Sequence, residues 1–286
     1  MKIFKKIEAL RLFLDGMRKE GKKIGFVPTM GYLHQGHLSL IQASAKENDI
    51  TVLSIYVNPT QFGPGEDLDQ YPSDLENDKK LAEEVGADVI FIPDQHIMYK
   101  DNHATYVQVN GLTNQLCGHS RPTHFQGVTT IVTKLFNIVQ PDHAYFGQKD
   151  AQQAIVIKRM VKDLNMPINI VVCPIVREAD GLAMSSRNTY LSTEEREQAP
   201  ILYQSLQKAK ALIDSGERSS ETVKAMIRQM IHEKSTTEIN YVSIVSADTL
   251  EDIETLEDKI LLALAVKVGK TRLIDNLQME VGSYVN

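Results

Sequence analysis

Ile24-Gly25-Phe26-Val27-Pro28-Thr29-Met30-Gly31-Tyr32-Leu33-His34-Gln35-Gly36-His37-Leu38-Ser39-Leu40-Ile41 passes from an apolar run through a glycine-containing loop into an amphipathic segment. Residues 24–27 read as a buried strand, and Leu38, Leu40 and Ile41 begin a helix that the pattern carries to about Asn48. Between them stand two histidines, His34 and His37, three residues apart. The first backbone N–H groups of a helix lack intrahelical acceptors and point outward, so a strand, a loop and a helix start together make a cradle for an anion. Imidazoles beside such a cradle can donate to phosphate oxygens, a layout that suits the triphosphate of a nucleotide. A lone His-x-Gly-His is weak and a plain helix cap would also produce it. Set between strand and helix and preceded by Pro28-Thr29-Met30-Gly31, it is much stronger. Two histidines at this spacing can also hold zinc, but no third His, Cys or carboxylate lies nearby in sequence and no HExxH occurs.

Outward from this stretch, apolar runs alternate with helical patterns. On the N-terminal side Ile3, Ile7, Leu10, Phe13, Leu14 and Met17 keep helical spacing and predict a first amphipathic helix. On the C-terminal side, residues 51–57 are rich in β-formers, 74–85 read as a charged surface helix closed by Gly86, and 88–92 as a strand stopped by Pro93. Helix over 125–139, strand over 144–146, helix over 151–164 and strand over 168–172 continue the alternation. Such a rhythm predicts an α/β fold, a Rossmann-like parallel sheet covered on both faces, spanning residues 1–175. Past residue 176 the rhythm changes. Ser192-Thr193-Glu194-Glu195 opens a long helix with an N-cap and an acidic first turn. A second helix covers 220–234. Three β-like runs follow at 239–245, 260–268 and 271–278, the last two flanking a hairpin turn at Gly269-Lys270. Residues 176–286 are thus expected to form a smaller C-terminal α+β domain, acting as a lid over the active site.

With 286 residues, 42% hydrophobic and 24% charged, the chain has the balance of an ordinary soluble globular protein. Its net charge of −6 gives no general basic field to hold nucleic acid, so an anionic substrate must be met by local charges. The two cysteines, Cys117 and Cys173, lie far apart without a CxxC and read as small buried apolar residues in a reducing compartment. The basic start is broken by Glu8, Arg11 and Asp15, which denies it the apolar core of a signal peptide, and no apolar run reaches membrane-spanning length. The expectation is a cytoplasmic protein with neither nucleic acid nor membrane as a partner.

Four further segments carry chemistry. Tyr145-Phe146-Gly147-Gln148-Lys149-Asp150 leaves a strand end, where α/β enzymes bind ligands; Gly147 permits close backbone approach and Lys149 offers a point charge to phosphate. Ala183-Met184-Ser185-Ser186-Arg187-Asn188 follows the polar turn Arg177-Glu178-Ala179-Asp180-Gly181. Its two hydroxyls and guanidinium suit a mobile lid on polyphosphate, and equally an inter-domain linker. Val57-Asn58-Pro59-Thr60-Gln61-Phe62-Gly63 leaves the second core strand, and Gln61 can donate and accept toward a small hydroxy acid, as can Gln153 one turn beyond Lys149. Arg121-Pro122-Thr123-His124-Phe125-Gln126-Gly127 supplies a candidate pocket wall, with Arg121 available to a carboxylate.

His34-Gln35-Gly36-His37 resembles the HxGH motif, and Met184-Ser185-Ser186-Arg187 a KMSKS-like motif, of the nucleotidyltransferase-like α/β superfamily. The longer strings VPTMGYLHQGH, YVNPTQFG, RPTHFQGV, YFGQKD and VREADGLAMSSRN resemble, in order, the pantothenate synthetase (pantoate–β-alanine ligase) family. The resemblance implies ATP-dependent joining of (R)-pantoate to β-alanine through pantoyl adenylate. It implies His37 as catalytic acid and ATP contacts from Met30, Gly31, Tyr32, Leu33, His34, Gln35, Gly36 and His37. Further ATP contacts would come from Gly147, Gln148, Lys149, Asp150, Val176, Met184, Ser185, Ser186 and Arg187, with Gln61 and Gln153 on pantoate. It also implies Mg²⁺ with the polyphosphate, without assigned protein ligands, and a homodimer. Compared with a KMSKS loop, Ala183 stands at the first lysine and Arg187 at the second, which puts more weight on Lys149. His37, Lys149 and Arg187 are expected to converge on the polyphosphate. Two alternatives share these features: a nucleotidyltransferase placing AMP or CMP on a phosphorylated substrate, and an ATP-sensing module without turnover.

Overall fold

Strand β2 (Ile24–Thr29) is the axis of the first body, because its side chains alternate into two separate cores. Phe26 points to one face with Val52, Val89 and Phe146, while Val27 points to the other with Leu53, Ile90 and Tyr145. The computed structural model describes residues 1–282. Around β2, the strands β1 (Lys2–Phe4), β3 (Ile50–Ile55), β4 (Val89–Phe91), β5 (His143–Gly147) and β6 (Asn169–Cys173) complete a parallel sheet of order β1-β4-β3-β2-β5-β6. Helices α1 (Ile7–Lys19), α6 (His124–Val139) and α7 (Ala151–Asp163) cover the Phe26 face through Leu10, Leu14, Val128, Phe136 and Ile157. Helices α2 (Gln35–Glu47) and α3 (Leu75–Glu84) cover the Val27 face through Leu38, Ile41 and Ala82. Burial on both faces is why these strands read as near-continuous apolar runs. Short helices α4 (Gln95–Met98) and α5 (Cys117–Ser120) lie in the connections.

The second body has an antiparallel sheet of β7 (Thr237–Ser246), β8 (Asp258–Val268) and β9 (Thr271–Val281), in that order. Helices α8 (Thr193–Gln198), α9 (Ile201–Asp214) and α10 (Ser220–His232) accompany it. Its core joins Leu202, Leu206 and Ile213 of α9 and Val223, Ile227 and Ile231 of α10 to Ile260, Leu262 and Leu264 of β8. Residues of contiguous packing divide as Met1–Thr113, Arg121–Gln148 and Gln153–Pro174 in the first body. Asn114–Ser120, Lys149–Gln152 and the chain from Ile175 onward form the second.

Two element expectations need correction. Ile3 belongs to strand β1, paired with Ile90 of β4, and the helix starts only at Ile7 behind Lys6 as N-cap. Helical spacing through Ile3 was accidental; the edge of the parallel sheet claims it. The helix opened by Ser192 ends at Gln198 and a new one starts at Ile201, because Pro200 cannot donate the next backbone hydrogen bond. The Ser192–Glu195 capping box itself is present. Cys117 and Cys173 are free and buried, as expected. Among the described residues, no helix is long and apolar enough to cross a membrane.

Candidate active site

The chain runs outward from β2 to β3 to β4, then returns to lay β5 on the other flank of β2. Strand order therefore reverses between β2 and β5, and ligands of open α/β sheets bind outside the carboxyl ends of strands at such a switch point. Two predicted segments leave from these ends: residues 30–37 from β2, and Gly147-Gln148 from β5.

The histidine loop is held by its own imidazoles. His34 is the N-cap of α2, and its Nδ1 accepts from the N–H of Gly36 at 3.1 Å. His37 Nδ1 in turn accepts from the N–H of His34 at 3.3 Å. This is a capping box in which imidazoles replace the usual hydroxyl and carboxylate. Because each Nδ1 accepts, each ring carries its proton on Nε2, and Nε2 is the donor. The rings stack with centroids 4.0 Å apart. The backbone cradle expected from the sequence is largely engaged internally, since the N–H of His37 also goes to the His34 carbonyl at 2.8 Å. Donation to a phosphate from these residues thus falls to imidazole Nε2.

The loop is braced from below by two residues not singled out in the sequence. Thr29 Oγ1 accepts from Gly31 N at 3.3 Å and donates to the Ser54 carbonyl at 2.8 Å. Asp78, on α3 and 1% exposed, accepts from the N–H of Tyr32 (2.9 Å) and of Leu33 (2.7 Å). Burial pushes its carboxyl above the ordinary range, against the pull of the Leu33 and Tyr32 N–H groups.

Gln61 joins this site. It closes a 3-10 turn, Pro59–Gln61, beyond β3. Its Oε1 accepts from Asn58 Nδ2 at 3.1 Å and its Nε2 donates to Met30 Sδ at 3.2 Å. Asn58, 1% exposed, also donates to the Gly127 carbonyl at 3.2 Å, and it accepts from the Thr60 hydroxyl at 3.0 Å. Gly127 is required: a Cβ there would lie 2.3 Å from the Thr60 carbonyl oxygen. Arg121 is already engaged, since Glu66 takes its Nε and Nη2, the latter at 2.5 Å. Burial raises the Glu66 carboxyl, but the Arg121 hydrogen bonds and charge outweigh it and hold Glu66 below its usual value. His124 donates from Nδ1 to the Gln61 carbonyl at 2.9 Å, so it too supports the turn. Gln153 is half-buried in the first turn of α7.

In the second body, strand β9 holds Lys149 and Arg177. Asn276 donates from Nδ2 to the Lys149 carbonyl at 2.9 Å. Its neighbour Asp275, 2% exposed, takes Arg177 in a bidentate pair at 2.7 and 3.0 Å. Burial pushes the Asp275 carboxyl up, opposed by Arg177 and by the charge of Lys149. Lys149 Nζ lies 3.7 Å from Asp150 Oδ2. Residues 176–184 form a small hairpin: Met184 N donates to the Val176 carbonyl at 3.0 Å, and Arg177 bridges to Ala183. Arg196 clamps it through Glu178 at 2.6 Å and Asp180 at 2.5 Å. Asn188 ties it again through Glu178 at 2.7 Å and the Ala183 carbonyl at 3.1 Å. Of the segment 183–188, read as either a mobile lid or a linker, Ala183 and Met184 belong to this hairpin. Ser185 caps the following 3-10 turn, Ser186–Tyr190, by accepting from Arg187 N at 3.3 Å.

The fold and these segments define a class: a Rossmann-like, nucleotide-binding α/β enzyme of the HxGH type. The chain belongs to the pantoate-beta-alanine ligase family, whose sequence model matches residues 2–278. A pantothenate synthetase from Acetivibrio thermocellus is 57% identical over 281 residues, covering 98% of this chain and 100% of the relative. The crystal structure of pantothenate synthetase from Thermus thermophilus superposes with TM-score 0.93 at 43% identity, covering 99% of this chain and 100% of that one. A pantoate-beta-alanine ligase from Francisella tularensis, complexed with beta-gamma ATP and beta-alanine, gives TM-score 0.79 at 35% identity over 97% of each chain.

Proposed function

We propose that this chain condenses (R)-pantoate with β-alanine to pantothenate, using ATP and passing through pantoyl adenylate. The observation that carries the reading is the switch-point set: the imidazole pair capping α2, with Gln61 bonded to Met30 of the same loop. Family membership over nearly the whole chain supports it, as does the ATP and beta-alanine complex of the Francisella relative.

The first step has an electrostatic problem. A pantoate carboxylate oxygen approaches the α-phosphorus while the bond to the β-phosphate breaks, so negative charge gathers on oxygens that already carry it. Donors held in place before the reaction lower that barrier most. His37 donates from Nε2 to phosphate oxygens as pyrophosphate leaves, with His34 beside it, and residues 30–36 line the nucleotide. Gly147, Gln148, Lys149 and Asp150 bind the nucleotide, Lys149 at phosphate. Val176 lies against adenine, and Met184, Ser185, Ser186 and Arg187 contact the triphosphate. Gln61 and Gln153 hold pantoate, and Gln61 also reaches β-alanine. In the second step the amine attacks the acyl carbon, the bond to AMP breaks, and the nitrogen loses a proton. Mg²⁺ enters as part of the nucleotide substrate. Among the described residues, no three His, Cys, Asp or Glu side chains gather into a metal-holding group. We assign the working form as a homodimer in the cytoplasm, testable by sedimentation against the 32.1 kDa chain mass and by fractionation.

A product assay with ATP, pantoate and β-alanine, omitting each in turn, tests the reading. Pantoate with ATP should support pyrophosphate–ATP exchange, and free AMP should require β-alanine as well. Nucleotide retained on the product would replace the ligase by a nucleotidyltransferase, and binding without pyrophosphate release by a sensor.

A further inference from the structure

The histidine loop adopts a conformation that its own residues resist. Gly31 has φ +87°, which glycine tolerates, but the next residue, Tyr32, has φ +51°. A non-glycine residue pays for the left-handed region and stays there only when its surroundings insist. Successive N–H groups in such a turn converge into a small concavity that ordinarily receives an anion. Here the anion is internal: Asp78 presents one oxygen to Tyr32 N and the other to Leu33 N, from 46 and 45 residues away. A Cβ on Gly31 would lie 3.0 Å from Asp78 Oδ2, so the carboxylate sits directly beneath the turn. Immediately after these residues comes His34, whose backbone N–H and ring nitrogen both belong to the imidazole capping box.

We propose that Asp78 is the positioning residue of the histidine loop. By gathering the N–H groups of Tyr32 and Leu33 it holds the chain in the turn that sets His34 at the N-cap, and through that cap it fixes the Nε2-protonated orientation of His34 and His37. It touches no substrate and acts only through the imidazole pair. The inference rests on the reading of His37 as the donor in adenylation, so its test includes a measurement that does not depend on activity.

Asp78→Asn keeps size and one acceptor but turns an amide NH₂ toward the second N–H. NMR of nitrogen-labelled histidine should show both rings of the native protein with Nδ1 unprotonated and Nε2 protonated. In the variant both should move to averaged tautomer signals while the remaining histidines stay put. Pantoate-dependent pyrophosphate–ATP exchange should slow roughly 10- to 100-fold in kcat, the loss expected for one charge-assisted hydrogen bond and the misplacement it permits. The KM for ATP and aminolysis of supplied pantoyl adenylate should change much less. If Asp78→Asn does not fold, Asp78→Glu, which keeps both acceptor oxygens but displaces them by one methylene from the Tyr32 and Leu33 N–H groups, carries the same measurements. Unmoved imidazole signals in a folded variant overturn the proposal whatever the rates do. Moved signals with an unchanged exchange rate support the positioning and overturn the role of His37.

Discussion

Substituting Gly127 by alanine should damage pantoate binding from behind, without touching the substrate. The added Cβ would lie 2.3 Å from the Thr60 carbonyl oxygen, 2.5 Å from its carbon and 2.6 Å from Gln61 N. Ordinary carbon–oxygen contact is about 3.4 Å, so roughly 1 Å must be absorbed. Helix α6 cannot supply it, because Phe125, Val128 and Val132 on the same turns are buried. The turn carrying Asn58, Thr60 and Gln61 must give way, and with it the Asn58 bond that orients the Gln61 amide. Overpacking of this kind costs about 1–3 kcal/mol of stability. A displacement of about 1 Å at a substrate-positioning group costs on the order of 10²-fold in rate. Pyrophosphate–ATP exchange measured over a range of pantoate concentrations reads the effect directly. Gly127→Ala should lower kcat/KM for pantoate by about 10- to 100-fold, with the KM for ATP little moved. A folded variant whose pantoate dependence matches the native protein would refute both the rigidity of α6 and the role of Gln61.

Three more outcomes are expected. His37→Ala should fold with a cap-sized loss of about 1 kcal/mol and lose on the order of 10²-fold or more in exchange rate; a folded variant with normal exchange removes His37 from the chemistry. Lys149→Ala should slow exchange more than aminolysis of supplied pantoyl adenylate, and equal losses in both would argue against a phosphate-directed lysine. The Glu66–Arg121 pair sets an acid limit. Because the folded Glu66 carboxyl lies below its ordinary value, its stabilisation is present above the unfolded value near 4.5 and is lost as pH falls through the lower folded value. Unfolding free energy measured from roughly pH 6 to pH 3 should fall more steeply for the native protein than for Glu66→Gln, and parallel curves would show that the pair contributes nothing.

What is legible in the sequence alone is whatever repeats with a period or sits in an ordered string. The β2 run, the His34 and His37 loop and the Gly269-Lys270 hairpin turn were readable because burial on both faces, helix capping and left-handed turns each leave local marks. Asp78 left none. It lies in Glu76-Asn77-Asp78-Lys79-Lys80, which reads as a solvated helix face, yet it is 1% exposed. Its partners are 45 and 46 residues away, and sequence spacing does not report such a distance. Arg121 shows the converse: a guanidinium in a suggestive string looked available for substrate until Glu66, 55 residues upstream, was found holding it. Helical spacing misled at Ile3 because a three-residue edge strand is too short to display its own period.

Strand β9 gives Asp275 to the hairpin of Arg177 and Asn276 to the lysine at 149, two adjoining positions on one backbone. Two stretches far apart in sequence are therefore geared to a single rail. A slip of β9 by one position against β8 would not detune one contact while sparing the other; both would shift in concert. Insertions or deletions around the Gly269-Lys270 reversal should for that reason be poorly tolerated.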